Sequence, residues 1–254
     1  MRIPNRWCCS IVTVAPMLFK SDLHSSACAT LQIGFNALTV ILESGRQNAS
    51  CRLILAHGAG VGITSPFLET MAELISGHGI AVTRFEFDYM AARRNGGSKR
   101  PPPRAEVLTS EYRDLVRSVA ERRPRGQKLL IGGKSLGGRV ASMIADELYE
   151  HGGITGLVCL GHPFHPPAKP DQLRTAHLAG LQCPALIVQG ERDPFGNRAE
   201  IEALPLSQSI AFTWIGDGDH DLRPRAGSDF TRAGNLATAA DAVAAFAARV
   251  APAR

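Results

Sequence analysis

The chain has 254 residues, of which 44% are hydrophobic and 20% charged, and this is the composition of an ordinary globular domain. A chain of this length buries enough surface in one core to fold without a disulfide or a structural metal. The formal net charge is +5, but acidic residues are spread along the chain and the basic residues do not share one helix, so no nucleic acid is expected as a partner.

Residues 1–36 are predicted to form a leader ahead of the domain, either disordered or the product of a start assigned too far upstream. A signal peptide is the alternative, because two arginines precede an apolar run at 7–19 and Ala27-Cys28-Ala29 resembles a cleavage site. No later apolar stretch approaches the ~18 residues of a membrane span, so no membrane partner is expected. The expected location is cytoplasmic, or secreted or periplasmic if residues 1–29 are a signal peptide.

None of the six cysteines has the spacing of a metal-ligand pair. Three of them lie in or beside apolar runs, where a buried cysteine acts as a small apolar residue. The cysteines therefore indicate neither a metal site nor an oxidising compartment.

Residues 37–254 are predicted to form one α/β domain, because short apolar runs alternate with longer segments of helical period. Most of the runs are apolar throughout, as in parallel strands that helices cover on both faces. The predicted strands are Ala37–Leu42, Arg52–Ala56, Ile80–Phe85, Lys128–Ile131, Ile154–Leu160, Ala185–Gln189 and Ile210–Ile215.

Three apolar stripes with helical spacing mark helices that pack on this sheet. The stripes are Phe67, Met71, Leu74 and Ile75; Leu136, Val140, Ile144 and Leu148; and Leu236, Ala240, Val243 and Phe246. The segment from Gly161 to Gln182 is too short for a large lid, and at most one small helix at Asp171–Leu181 is expected there.

The segment Gly133-Lys134-Ser135-Leu136-Gly137 matches Gly-x-Ser-x-Gly, and it lies between a predicted strand and a predicted helix. A strand that turns directly into a helix holds the serine in a strained conformation, and the flanking glycines allow the two elements to approach. This context predicts Ser135 as a nucleophile. A phosphate-binding loop is the alternative, but it needs glycine at position 128, which is lysine.

A serine nucleophile requires a histidine as general base and a carboxylate that orients the histidine, in the chain order serine, acid, histidine for this kind of fold. Asp193 follows the strand that ends at Gln189, and His220 follows the strand that ends at Ile215. They are the predicted acid and base, and Glu191 is the rival acid. We interpret Asp217, Asp219 and Asp221 as turn residues and not as metal ligands.

An oxyanion hole requires two backbone amides near the serine. The amide of Leu136 is one candidate, and the loop Leu55–Gly60 supplies the other, with Ala59 preferred over Gly58 and Gly60. We assign His57, in the same loop, to loop structure.

A basic stretch follows Met90 and is interpreted as a loop near the edge of the sheet where Ser135 lies. Its members are Arg93, Arg94, Lys99, Arg100 and Arg104. They are either solvated surface residues or a funnel that attracts an anionic acyl substrate.

From residue 51 onward the chain resembles the small α/β-hydrolases called dienelactone-hydrolase-like. It resembles still more closely the hydrolase-like family that includes a testis-expressed protein and a subunit of a chromatin acetyltransferase complex. The segments that carry the resemblance are Leu55–Gly60, Arg84–Arg94, Gly132–Arg139, Gly161–Pro170, Gly190–Gly196 and Gly216–Arg225.

This resemblance implies an α/β-hydrolase fold, with a mostly parallel sheet flanked by helices and a minimal lid, and it implies Ser135, Asp193 and His220 in triad positions. Dienelactone hydrolases use a cysteine nucleophile, so their reaction is not transferred to this chain. The expected function is hydrolysis of a carboxylic ester or related acyl bond of a small molecule, without a cofactor. The chromatin-complex relative implies the alternative, a binding or interaction module with little or no turnover.

Overall fold

The computed structural model describes residues 27–31, 40–97 and 101–250, with the backbone alone for residues 27–31. The strands in these ranges are β1 (Ala27–Leu31), β2 (Val40–Ser44), β3 (Cys51–Ala56), β4 (Ala81–Phe85), β5 (Lys128–Lys134), β6 (Gly156–Leu160), β7 (Ala185–Gly190) and β8 (Ile210–Ile215). The helices are α1 (Pro66–Gly77), α2 (Asp88–Arg94), α3 (Ala105–Arg122), α4 (Leu136–Glu150), α5 (Arg198–Glu202) and α6 (Arg232–Arg249). No helix within these ranges is long and apolar enough to cross a membrane.

The strands form one sheet in the order β1-β2-β4-β3-β5-β6-β7-β8. The pairs β1–β2 and β2–β4 are antiparallel, and every pair from β4–β3 to β7–β8 is parallel. Because parallel strands end at the same edge, the loops after β3, β5, β6, β7 and β8 all leave the sheet on one side.

Helices cover both faces of the sheet, which explains why its central strands are apolar throughout. Ile54 and Ala56 face a core shared with α3 and α4, whereas Leu53 and Leu55 face a core shared with α1 and α6. The three predicted helical stripes lie in α1, α4 and α6, and their residues are buried or pack against these cores.

The sequence predicted the mostly parallel sheet, and each predicted strand has a counterpart in it. One addition is β1, which lies inside the predicted leader and includes the proposed cleavage site Ala27-Cys28-Ala29. Its five residues pair with β2. The rest of the leader, including the basic and apolar stretch of the signal-peptide alternative, lies outside the described residues.

Residues 161–184 connect β6 to β7 without a helix or a strand, so the lid is minimal, as expected. At most one small helix was expected at Asp171–Leu181, and the structure has none there. Separate turns take its place, with Gln172 N–H donating to the carbonyl of Lys169 and Leu178 N–H to that of Thr175.

The interpretation of Arg93 and Arg94 as loop residues is wrong, because both lie in the last turn of α2. Lys99 and Arg100 of the same basic stretch lie outside the described residues. Arg104 is the residue that precedes α3.

Candidate active site

Ser135 lies between the last residue of β5 and the first residue of α4, with φ 52° and ψ −114°. A positive φ is costly for a residue with a side chain, by roughly 1–3 kcal/mol, and persists only where the surrounding structure enforces it. A Cβ on Gly137 would lie 2.6 Å from the carbonyl oxygen of Ala56, and one on Gly133 would lie 2.6 Å from the carbonyl carbon of Gly137. The two glycines therefore allow the close crossing that strains Ser135.

Asp193 and His220 come together from the loops after β7 and β8. The Nδ1 atom of His220 lies 2.8 Å from Oδ2 of Asp193, and the Asp193 side chain is fully buried. Because an ionised carboxylate only accepts hydrogen bonds, Nδ1 carries the proton in this contact. A neutral imidazole then has an unprotonated Nε2, which can act as a base.

Two further groups hold the Asp193 carboxylate in place. The amide Nε2 of Gln189, the last side chain before the β7 turn, donates to Oδ2 at 2.9 Å, and the backbone N–H of Phe195 donates to Oδ1 at 2.8 Å. Gln189 is itself fully buried, and its Oε1 accepts from the backbone N–H of His162 at 2.8 Å. Sequence reasoning missed Gln189, although a polar side chain at the end of an apolar strand was a usable signal.

The rival acid Glu191 faces other partners. Its Oε2 accepts from the backbone N–H of Asp217 at 3.2 Å, and its Oε1 forms an ion pair with Arg198 at 3.2 Å. The structure therefore joins Asp193, and not Glu191, to His220.

The loop after β3 passes beside Ser135, because a Cβ on Gly58 would lie 3.8 Å from the Cβ of Ser135. His57 anchors this loop from a fully buried position. Its Nδ1 lies 2.6 Å from the carbonyl oxygen of Gly58, and its Nε2 accepts from the backbone N–H of Phe87 at 3.1 Å. Burial lowers the pKa of His57, which matches a neutral ring that donates from one nitrogen and accepts at the other.

The carbonyl of Gly58 also lies 3.3 Å from the hydroxyl of Tyr89. Burial raises the pKa of Tyr89 to about 12, so the phenol keeps its proton and donates. In a trans peptide the C=O and N–H groups point in opposite directions. The N–H of Ala59 therefore points away from His57 and Tyr89.

The three aspartates beside His220 have different partners. Asp217 pairs with Arg192 and Arg225 at 2.7 Å, and the backbone N–H of Arg225, together with the two guanidinium groups, lowers its pKa to about 2. Asp219 accepts from the backbone of its own turn, as a turn residue does. Asp221 instead forms an ion pair with Lys134 at 3.3 Å, a contact that the sequence did not predict.

Two other histidines that follow strands, His162 and His165, have different surroundings. His162 is fully buried, and neither ring nitrogen has a hydrogen-bond partner within the described part of the chain. His165 contacts Glu200 at 3.3 Å. Among the residues that the structure describes, no group of three or more histidine, cysteine or acidic side chains could hold a metal ion.

The two arginines of α2 contact nearby polar groups. Arg93 Nη1 donates to the carbonyl of Ala59 at 3.3 Å, and Arg94 pairs with the buried carboxylate of Glu86 at 2.9 Å. Arg93 thus lies beside the loop after β3, whereas Arg94 is held by an ion pair.

Comparison with known proteins gives one family match and many similar structures. Residues 49–248 match the family described as "Alpha/beta hydrolase domain". An alpha-beta serine hydrolase homologue from Coxiella burnetii is 16% identical, with a TM-score of 0.64 over 89% of this chain and 99% of that one. A dienelactone hydrolase from Anabaena variabilis is 20% identical, with a TM-score of 0.67 over 89% and 98%. An esterase domain from a Rhodothermus marinus protein is 15% identical, with a TM-score of 0.61 over 90% and 99%. At sequence identities of 15–20%, these structures show that the fold is shared, and they show nothing further about this chain.

Proposed function

The chain belongs to the alpha/beta hydrolase domain family, and from this premise we propose that it is a serine hydrolase that cleaves a carboxylic ester or related acyl bond. The observation that carries the proposal is the 2.8 Å contact between His220 Nδ1 and buried Asp193, at the sheet edge where the strained Ser135 follows β5. A hydroxyl, a carboxylate and an imidazole, in this order along the chain, are what a covalent acyl transfer requires.

The reaction begins when Ser135 Oγ attacks the carbonyl carbon and His220 Nε2 accepts the hydroxyl proton. The carbonyl electron pair moves onto oxygen, and the amides of Leu136 and Ala59 donate hydrogen bonds to this oxyanion. When the intermediate collapses, the bond to the leaving group breaks and His220 gives its proton to that group, which leaves an acyl-Ser135. Asp193 holds the imidazole and stabilises its protonated form without taking the proton.

Water completes the cycle. His220 accepts a proton as the water oxygen attacks the acyl carbon, and it returns the proton to Ser135 Oγ when the acid leaves. Every proton in the scheme moves through this chain's own residues. The proposal therefore requires no cofactor.

The proposed substrate is a small acyl compound. The short connection between β6 and β7 leaves the site without a lid domain, and Arg93 beside the Ala59 carbonyl is the cation through which an anionic substrate would be favoured.

The preference for an anionic substrate is tested by the values of kcat/KM for matched neutral and carboxylate esters, at low and high salt. An anionic preference that disappears at about 1 M salt, where the Debye length is ~3 Å, supports electrostatic capture. Equal salt dependence for the two esters rejects it.

The test of the function is labelling with a fluorophosphonate probe, combined with ester hydrolysis. Wild type should be labelled, and Ser135→Ala should not. Ser135→Ala and His220→Ala should each lower hydrolysis by at least ~10³-fold, because each removes a group that acts in the transition state. The matched control is Ser110→Ala, which changes an exposed serine of α3. Wild type that is neither labelled nor active would favour the interaction module.

A further inference from the structure

Lys134, the residue before Ser135, places a buried ammonium group under the loop that carries His220. Its side chain is 7% exposed, although lysine is ordinarily a surface residue. Its Nζ donates to the backbone carbonyl of His220, and it pairs with Asp221 Oδ1 at 3.3 Å. The ring of Phe67, from α1, lies 5.3 Å from Nζ and covers it.

The buried position of Lys134 disfavours the charged form of its ammonium group. Burial lowers the pKa of Lys134, and the nearby charges of Asp221, Asp193 and Asp219 act in the opposite direction. A buried charge loses its hydration, and this loss must be offset by hydrogen-bond acceptors and opposite charges around it. Here the acceptors belong to the loop that carries the proposed base.

Gly161, just beyond β6, leaves room for this contact. It has φ 66°, and a Cβ at this position would lie 3.0 Å from Lys134 Nζ and 3.0 Å from the carbonyl oxygen of His220. The same Cβ would lie 3.4 Å from Nδ1 of His220. The ends of β5 and β6 and the loop after β8 thus meet at one point, where a side chain on Gly161 would crowd both partners.

We propose that Lys134 is a positioning residue that ties the nucleophile turn to the general base. Its ammonium group binds the main chain of His220 and the side chain of Asp221. Because Ser135 follows Lys134 directly in the chain, this contact fixes the position of the imidazole relative to Ser135. This inference rests on the proposed function, because it assigns His220 the role of base. It explains why a cation occupies the variable position of Gly-Lys-Ser-Leu-Gly.

The matched pair of variants is Lys134→Met and Lys128→Met. Lys128 lies on the same strand, but its Nζ donates to the carbonyl of Ala247 in α6, at the other end of β5. Lys134→Met should lower kcat by roughly 10- to 100-fold with a smaller change in KM, because a misplaced catalytic group slows the chemical steps more than it weakens binding. Lys128→Met should keep the wild-type kcat. Equal kcat values in Lys134→Met and wild type would overturn the proposal.

Hydrogen exchange tests the contact without any assay of activity. Backbone amides of residues 216–225 should exchange faster in Lys134→Met than in wild type, and those in Lys128→Met should not change. Unchanged exchange in both variants would also overturn the proposal. If wild type proves inactive towards esters and the fluorophosphonate, the proposed function fails, whereas the exchange result still decides whether Lys134 holds the loop.

The pH profile tests the role of the charge and serves if Lys134→Met does not fold. The value of kcat should fall at alkaline pH as Lys134 loses its proton, below the ordinary lysine value of 10.5 and below the titration of Tyr89 at about 12. Lys134→Arg keeps a cation at these pH values and should move the fall to higher pH. An identical alkaline limb in wild type and Lys134→Arg would show that the Lys134 charge does not hold the base.

Discussion

Gln189 and His220 donate to the same oxygen of Asp193, with Gln189 Nε2 at 2.9 Å and His220 Nδ1 at 2.8 Å from Oδ2. Both Gln189 and Asp193 are fully buried, so neither the amide nor the carboxylate can exchange its partner for water. The orientation of the imidazole therefore depends on the Asp193 carboxylate and also on the hydrogen bond by which Gln189 holds that carboxylate.

The acid assignment predicts different results for the two carboxylates after β7. Asp193→Asn should lower kcat by roughly 10³- to 10⁴-fold, because the new amide can donate to Nδ1 and so favour the wrong imidazole tautomer. Glu191→Gln should leave kcat near the wild-type value, since its partners are Arg198 and the backbone of Asp217. The measurement is steady-state hydrolysis of one ester by both variants, and a larger loss in Glu191→Gln would reverse the assignment.

Gln189→Glu replaces a donor to Asp193 with a group that can ionise. Once ionised, the introduced carboxylate would repel that of Asp193, so we expect kcat to fall by roughly 10- to 100-fold at pH 8. The value of kcat should recover in part at lower pH, where the introduced group is protonated. The control is Gln182→Glu, at an exposed glutamine whose side-chain Nε2 donates to the carbonyl of Gly180. A pH–rate profile of Gln189→Glu that is parallel to wild type would contradict this role.

Tyr112 supports the strand that leads to Ser135. Its hydroxyl is fully buried, lies 2.6 Å from the carbonyl oxygen of Gly132 and accepts from the N–H of the same residue at 2.9 Å. Tyr112→Phe leaves buried backbone groups without this partner, so the free energy of unfolding should fall by ~1–3 kcal/mol. Urea denaturation measures it, with Tyr149→Phe, at an exposed tyrosine, as the control. Equal stability of the two variants would show that the backbone groups find other partners.

His162 predicts how stability changes in acid. Burial holds its pKa well below the ordinary 6.5, so the contribution of the neutral ring is complete above pH 6.5 and is lost as the pH falls towards the folded-state pKa. For one such group the free energy of unfolding decreases by up to about 1.4 kcal/mol per pH unit in this window. Buried His57 and partly buried His177 have lowered pKa values as well, because burial disfavours the charged ring, and they act in the same direction.

His162→Leu should therefore show a shallower loss of stability below pH 6.5 than wild type. It should keep or gain stability at pH 8, because no hydrogen bond of the ring is removed. His151→Leu, at the exposed end of α4, should follow the wild-type curve. Urea denaturation across pH 5 to 8 gives the comparison, and parallel curves for His162→Leu and wild type would contradict the assignment.

The sequence alone determined the layered α/β architecture and the order of the candidate residues along the chain. Apolar runs separated by helical stripes indicate strands covered on both faces, because the period of the apolar residues differs between the two kinds of element. The glycines around Ser135 indicate a close crossing of strand and helix, since Cβ atoms at Gly133 and Gly137 would collide with backbone there. The same local signals favoured Asp193 and His220 through their positions after strands.

Only the tertiary structure decided which side chains meet. Gln189 reaches Asp193 by closing a turn, and Lys134 reaches His220 across 86 residues of the chain, a distance over which local patterns carry no information. The helical conformation of Arg93 and Arg94 also depends on tertiary structure. The helix α2 is short, and its apolar residues gain burial only against the folded sheet. Contacts between distant residues follow from how the strands are ordered and how the helices pack on them, and this ordering is a property of the whole fold.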